Sequence, residues 1–265
     1  MRHRTTSPQD IDVQVTPREE LPSAAEYARS KIGEVTRYAS RPVLHARVRL
    51  TRHRDPAVQR PVVAQANLDV DGRPVRAQVQ ADTVREAVDL LAARLRRRLD
   101  RAAEHWEARR GEVPAGDEWR HESQPARRPN YFPRPADQRR ITRRKSFSMA
   151  PCTLDDAARE MELLDYDFHL FTEKGTGTAG VLYRGGPTGY RLALAAPALA
   201  DRVSRHALPV TVSQQPLPCL TEAGAASRLG ILGLPFLFFI HADYGCASVL
   251  YHRYDGHYGL ITPAG

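Results

Sequence analysis

VVAQANLDVDGRPVRAQVQADTVREAVDLLAARLRRRLD (Val62 to Asp100) places two periodicities back to back. Val62, Ala64, Ala66, Leu68 and Val70 alternate with other residues, and Val75, Ala77, Val79 and Ala81 do the same after Asp71-Gly72. Alternation of this kind marks strands with one buried face. Asp-Gly is a preferred two-residue hairpin turn, because both positions tolerate positive φ. From Asp82, a candidate N-cap, the period changes: Val84, Val88, Leu91, Leu95, Leu99 and Ala102 recur at helical spacing. A hairpin running straight into an amphipathic helix predicts a sheet covered on one side only.

Working outward, IDVQVT alternates at Ile11, Val13 and Val15, and VLHARVRL places Leu44, Ala46, Val48 and Leu50 on one face. Its other face carries His45, Arg47 and Arg49. A second helix is expected from about Ser23 to Ala39. The four strands read as an antiparallel sheet, and the order β-α-β-β-β-α predicts a two-layer α/β first domain over residues 10–110.

From Arg110 the pattern stops. GEVPAGDEWRHESQPARRPNYFPRPADQRR is proline-rich and charged, which predicts an extended basic linker over 111–140. Trp119, Tyr131 and Phe132 stand in it, either mobile with the linker or docked.

Beyond the linker the chain repeats itself. A shift of 68 residues superposes Thr153 on Thr221, Ala157 on Ala225, Ala158 on Ala226, Leu164 on Leu232, Phe168 on Phe236 and Phe171 on Phe239. It also superposes Val181-Leu182-Tyr183 on Val249-Leu250-Tyr251 and Tyr190 on Tyr258. Each copy reads as a threonine cap, a short helix and aromatic-rich strands. The expectation is two β-α-β-β-β domains, 141–197 and 206–265, so the chain as a whole is α+β.

Bulk properties narrow the function. The net charge is +8, but residues 1–110 hold 22 Lys and Arg against 15 Asp and Glu, while 146–265 hold 8 against 11. A polyanion partner is therefore expected for the front half. No apolar run reaches the roughly 18 residues of a membrane span. The N-terminus MRHRTTSPQDID shows no secretory signal, so a cytoplasmic protein with no membrane partner is expected. Cys152, Cys219 and Cys246 are far apart and read as reduced thiols.

The sharpest chemical feature is ARLRRRLDRAAEHW, where Arg94, Arg97, Arg98 and Arg101 share the exposed arc of the second helix. Four guanidinium groups on two turns suit RNA phosphates. The competing reading is a solvated face with ion pairs such as Arg97–Asp100 and Arg101–Glu104. The exposed sheet face, with His45, Arg47, Arg49, Gln65, Asn67, Arg76 and Gln78, has no Tyr or Phe for stacking bases, so backbone-directed RNA binding is expected over sequence reading. Cys246, His252, Asp255 and His257 invite a catalytic reading, yet no nucleophile elbow, P-loop or paired metal-ligand spacing accompanies them. No enzyme activity, metal or cofactor is expected. The repeat aromatics Phe168, Phe171, Tyr183, Phe236, Phe239, Tyr251 and Tyr258 are either plain core or a surface through which domains pair.

With these motifs in hand, the chain resembles the long-form bacterial ribosome hibernation promoting factors. SKIGEVTRYAS matches that family's first helix at Lys31, Val35 and Tyr38, and DTVREAVDLLAARLRRRLDR matches its second. KSFSMAPCTLDDAAREMELLDYDFHLF and the closing YDGHYGLITP match its C-terminal domain. The resemblance implies a front domain that lies on 16S rRNA of the small subunit, within the 70S ribosome, where mRNA and tRNAs would sit. Translation then stops under stress. By carry-over Lys31, Arg94, Arg97 and Arg101 would contact rRNA phosphates; Arg37 and Arg98 join them by helical position. Glu34 and Val84 depart from the family, which commonly has a basic residue and an aromatic there. The larger departure is the second rear copy. Long forms usually carry one rear domain that pairs with another chain; here the two copies are expected to pair in cis, with a further ribosomal or regulatory surface as the alternative. A general RNA-binding module and a transcription-factor-modulating interaction protein are the competing functional classes.

Overall fold

The computed structural model describes residues 11–16, 23–53, 59–108, 134–147 and 150–264. Trp119, Tyr131, Phe132 and most of the expected linker lie outside them. The chain forms two compact units, one made of the residues through 108 together with Glu162–Tyr166, the other of 134–161 and the chain from Asp167 onward.

The first unit contains β1 (Asp12–Thr16), α1 (Ala24–Arg37), β2 (Val43–Arg52), β3 (Val62–Val70), β4 (Arg73–Ala81) and α2 (Val84–Ala108). Sheet order is β1-β2-β3-β4, with both helices on one face. The β3–β4 hairpin turns on Asp71 (φ 53°) and Gly72 (φ 80°), the paired positive angles that this turn requires. Val88, Leu91, Leu95 and Leu99 of α2 are buried with Ile32 of α1 against Ala46, Val48, Leu50, Ala66 and Ala77 of the sheet.

Three details differ from the sequence reading. The sheet is not wholly antiparallel: β1 pairs parallel with β2, because α1 carries the chain back across the sheet before β2 begins. Leu44 is exposed (41%) and Val43 takes the core position, because the β2–β3 register shifts between Val43 and His45. The cap of α2 is Thr83 and not Asp82. The Glu86 N–H donates to Thr83 Oγ1 (3.2 Å), while the Glu86 carboxylate accepts from the Asp82 N–H (3.3 Å).

The second unit holds β5 (Ile141–Phe147), β6 (Pro151–Cys152), α3 (Leu154–Leu163, its last two residues counted with the first unit), β7 (Phe168–Glu173), β8 (Ala179–Arg184) and β9 (Tyr190–Leu194). These are followed by β10 (Thr211–Ser213), β11 (Cys219–Leu220), α4 (Glu222–Leu232), β12 (Phe236–His241), β13 (Ala247–His252) and β14 (Tyr258–Pro263). The order β-α-β-β-β occurs twice, as β6-α3-β7-β8-β9 and β11-α4-β12-β13-β14. Thr153 and Thr221 cap the helices, accepting from the N–H groups of Asp156 (3.2 Å) and Gly224 (3.2 Å).

Each copy also has a leading strand, and the two are exchanged. β5 runs parallel to β14 of the second copy, and β10 runs parallel to β9 of the first. The five-stranded sheets are therefore β10-β9-β8-β7-β6 and β11-β12-β13-β14-β5. One face of each sheet meets its own helix; the other joins a shared cluster in which Phe147, Leu170 and Val181 pack with Phe238, Ala247 and Val249.

Gly259 in this unit has a specific steric role. A Cβ there would lie 2.3 Å from the Tyr251 ring, the residue opposite it in the β13–β14 pair. Gly259→Ala must push that ring from its place beside Phe168; we expect a loss of about 1–3 kcal/mol, read as a fall in Tm of about 2–4 °C for each kcal/mol. The equivalent Arg191→Ala in the first copy should cost less.

A half-buried histidine and a buried glutamate are expected to make this unit acid-sensitive. Desolvation, with Arg139 nearby, lowers the pKa of His252 to about 4, against 6.5 for the free group. Between those values the unfolded chain takes up a proton that the folded chain refuses, so stability falls as pH falls. Burial pushes Glu173 up, but hydrogen bonds from Ser204, Gly175 and Thr176 outweigh it and hold the carboxyl below its usual range. Its contribution is present above the usual carboxylate pKa and is lost as pH falls through the depressed one. Tm should therefore drop from pH 7 to pH 4.5, and His252→Phe, which keeps a ring against Tyr258 (5.0 Å), should flatten the pH 6.5–4 part of that profile. An unchanged profile in the variant would remove His252 as the cause.

Candidate nucleic-acid interface

Burying Leu91, Leu95 and Leu99 leaves one flank of α2 facing the β4 edge and solvent, and that flank carries the four arginines. They divide into two pairs four residues apart. Arg97 and Arg101 are exposed. Arg94 and Arg98 are not: their side chains are 23% and 13% exposed, because both donate to Oδ1 of Asp165. The Arg94 contact is 2.5 Å. The other oxygen of the same carboxylate accepts from the Gln78 main-chain N–H at 2.9 Å. β4 is an edge strand, so that N–H faces away from the sheet and is free to meet a carboxylate.

On α1, Lys31 lies 4.0 Å from Glu34 with its side chain 38% exposed, and Arg37 is exposed in the last turn. Arg96, on another side of α2, lies over the Tyr38 ring at 4.8 Å. Asp89 takes a 2.6 Å hydrogen bond from the Tyr27 hydroxyl, which raises the Tyr27 pKa. Of the expected RNA-contacting residues, Arg37, Arg97 and Arg101 are open to solvent, Lys31 partly so, and Arg94 and Arg98 are occupied. Glu104, the other half of one competing ion pair, has a side chain outside the described residues.

The exposed sheet face is polar and internally bonded. Arg47 donates to Asp12 (2.8 Å), Arg49 to Gln14 (3.2 Å), and Arg76 to Gln78 (2.8 Å) and Gln65 (3.3 Å). Tyr166 reaches this region from the 162–166 segment, with Arg76 over its ring at 5.5 Å. Sequence reading missed Asp165, Tyr166 and the Gln78 N–H. Their only signal was the repeat itself, in which Asp165 stands where the second copy has Gly233.

The aromatics proposed for pairing sort by strand parity. Phe168 stacks on Phe236 with centroids 4.5 Å apart, Tyr183 meets Phe236 edge-on at 5.3 Å, and Tyr251 lies 5.7 Å from Phe168. Phe239 and Tyr258 belong instead to the cluster around α4 with Ala225 and Leu229. Phe171, one residue on from Leu170, is buried on the opposite side of β7 from the shared cluster.

Of the residues that suggested catalysis, Asp255 and His257 meet in the β13–β14 connection, and His252 ends β13. Asp255 accepts from Arg253 Nη2 at 2.8 Å and from the His257 N–H at 3.1 Å, closing the β13–β14 connection. Burial, then the carboxylates of Glu160, Asp156 and Glu173, raise the Cys152 thiol to about 11. Among the described residues no group of three or more His, Cys, Asp and Glu is placed to hold a metal ion. Among them, too, no helix is long and apolar enough to cross a membrane.

Comparison with known proteins gives matches in both units. Residues 13–106 match the family model "Sigma 54 modulation protein / S30EA ribosomal protein". Residues 136–192 and 210–260 each match "Sigma 54 modulation/S30EA ribosomal protein C terminus". The chain is 39% identical over 229 residues to the dormancy associated translation inhibitor of Mycobacterium tuberculosis, covering 83% of this chain and 77% of that one. It is 25% identical over 175 residues to the ribosome hibernation promotion factor of a Picosynechococcus species, covering 63% and 88%. A ribosomal subunit interface protein from Coxiella burnetii aligns at TM-score 0.29 and 17% identity, over 36% of this chain and 97% of that one. The chain belongs to the Sigma 54 modulation/S30EA ribosomal protein family, as a long-form ribosome hibernation factor in which the C-terminal model is matched twice.

Proposed function

We propose that this chain is a cytoplasmic translation inhibitor. Its first unit binds the small ribosomal subunit on 16S rRNA, where mRNA and tRNAs would sit, through Arg94, Arg97, Arg98 and Arg101 with Lys31 and Arg37. The observation that carries this reading is the single arc of four guanidinium groups on α2 beside a sheet face without stacking aromatics of its own. Such a surface recognises phosphate and leaves bases unread. The names of the relatives, a translation inhibitor and a hibernation promotion factor, support the same reading.

The two rear copies pair with each other in cis under this proposal, so that single ribosomes are silenced without being joined. Three features support it: the exchange of β5 and β10, the Phe168–Phe236 stack, and the short connection between copies. A tether of this length keeps the partner surface at about millimolar effective concentration, ahead of any second chain.

Replacing Arg97 and Arg101 by Glu should abolish inhibition of in vitro translation while leaving Tm unchanged, since both side chains are exposed. Each lost phosphate contact should also reduce the log–log salt slope of binding by about 0.7–0.9. Undiminished inhibition would overturn the assignment of the arc. Equal affinity for a free RNA duplex would replace it with general RNA binding.

Light scattering of the purified chain should give the monomer mass of 29.7 kDa. A stable dimer that persists on dilution would overturn pairing in cis.

A further inference from the structure

We infer that Asp165 is an internal competitor for the RNA backbone. Arg94, Arg98 and the Gln78 N–H form a receptor for one phosphodiester oxyanion, and the Asp165 carboxylate fills it until RNA displaces it. The inference rests on the phosphate-binding reading of the arginine arc and adds to it a subsite and a control.

The donor geometry is that of an anion receptor. Two guanidinium groups converge on one carboxylate oxygen, and a main-chain N–H takes the other at 2.9 Å. A phosphodiester offers the same pair of acceptors, two non-bridging oxygens sharing one negative charge, and charge-assisted bonds of this type suit either anion. With Asp165 in place its side chain is only 8% exposed, and Arg94 and Arg98 are shielded with it. An incoming RNA strand meets Arg97 and Arg101 first, and engages the other two only after the carboxylate leaves.

The backbone gives a second, independent sign. Asp165 has φ 54°, and its counterpart in the repeat, Gly233, has φ 60° as the C-cap of α4. Glycine meets this left-handed requirement without strain; Asp and Asn are among the few side chains that tolerate it. The first copy thus places a carboxylate where the fold itself asks for none. Its neighbours hold it on target: Leu163 packs against the core of the first unit, and Tyr166 lies under Arg76 at 5.5 Å.

The test uses the full chain with Asp165→Asn and Asp165→Gly, both compatible with the backbone, and measures Kd for purified small ribosomal subunits at fixed salt. If the receptor is occluded about nine-tenths of the time, both variants should bind about tenfold tighter, since apparent affinity scales with the competent fraction. Unchanged or weaker binding in both would overturn the inference. Its failure is separable from that of the parent reading. A chain whose binding is lost with Arg97→Glu and Arg101→Glu, yet unmoved by Asp165→Asn, keeps the arc and loses the competitor.

Discussion

The period of α2 is the constraint on which the front of the molecule depends. Val88, Leu91, Leu95 and Leu99 are all buried, at steps of three and four residues, against a sheet with only one covered face. That spacing fixes the rotation of the helix about its axis, and each large side chain contributes about 2–5 kcal/mol to holding it. An exposed arginine ion pair contributes about 0–1 kcal/mol. The leucines therefore decide the orientation, and the arginines at 94, 97, 98 and 101 follow on less than about a third of the circumference. The proposed binding chemistry of Arg97 and Arg101 is thus laid on a framework that does not need those two side chains for stability.

The rear unit answers a different constraint. A β-α-β-β-β copy of roughly 55 residues buries too small a fraction of its surface to be secure alone. Its helix covers one sheet face and leaves the other, with Phe168 or Phe236, uncovered. Placing two such sheets face to face buries both. Exchanging β5 and β10 adds main-chain bonds to β14 and β9, two edges that would otherwise stay open to another chain. The divergence between copies follows from this packing. Gly259 leaves room for the Tyr251 ring, whereas Arg191 stands opposite Tyr183, which meets Phe236 edge-on.

What the sequence made legible was local. Alternation located β2, β3 and β4, Asp71-Gly72 located their hairpin, and the leucine spacing located α2 and its arginine arc. Misreadings arose where a neighbouring element decided the outcome. Leu44 obeys the alternation, but the register shift against β3 moves Val43 into the core in its place. Asp82 and Thr83 are both good caps, and the reach of Glu86 selects the second. Leading strands can be found by pattern, yet nothing in ITRRKSF or TVS says which sheet they join. In the structure each of them pairs with the last strand of the other copy.

Asp165 belongs to the last category, and it shows what duplication permits. A helix terminus that needs a left-handed residue is satisfied by glycine in one copy. The other copy uses the same backbone slot to present a carboxylate to Gln78, Arg94 and Arg98. Neither side of that contact is unusual in its own local sequence; the acid reads as a turn residue and the arginines as a solvated face. The contact is also selective within the arc. It withdraws the pair nearest the β4 edge and leaves Arg97 and Arg101 in water, where long-range attraction to a polyanion operates. On the proposed reading, steering and tight engagement fall to different pairs, so a nonspecific anion would meet the outer pair without displacing the carboxylate. On that reading, full engagement would ask for a ligand with several phosphates, spaced to reach the inner pair while the outer pair holds it.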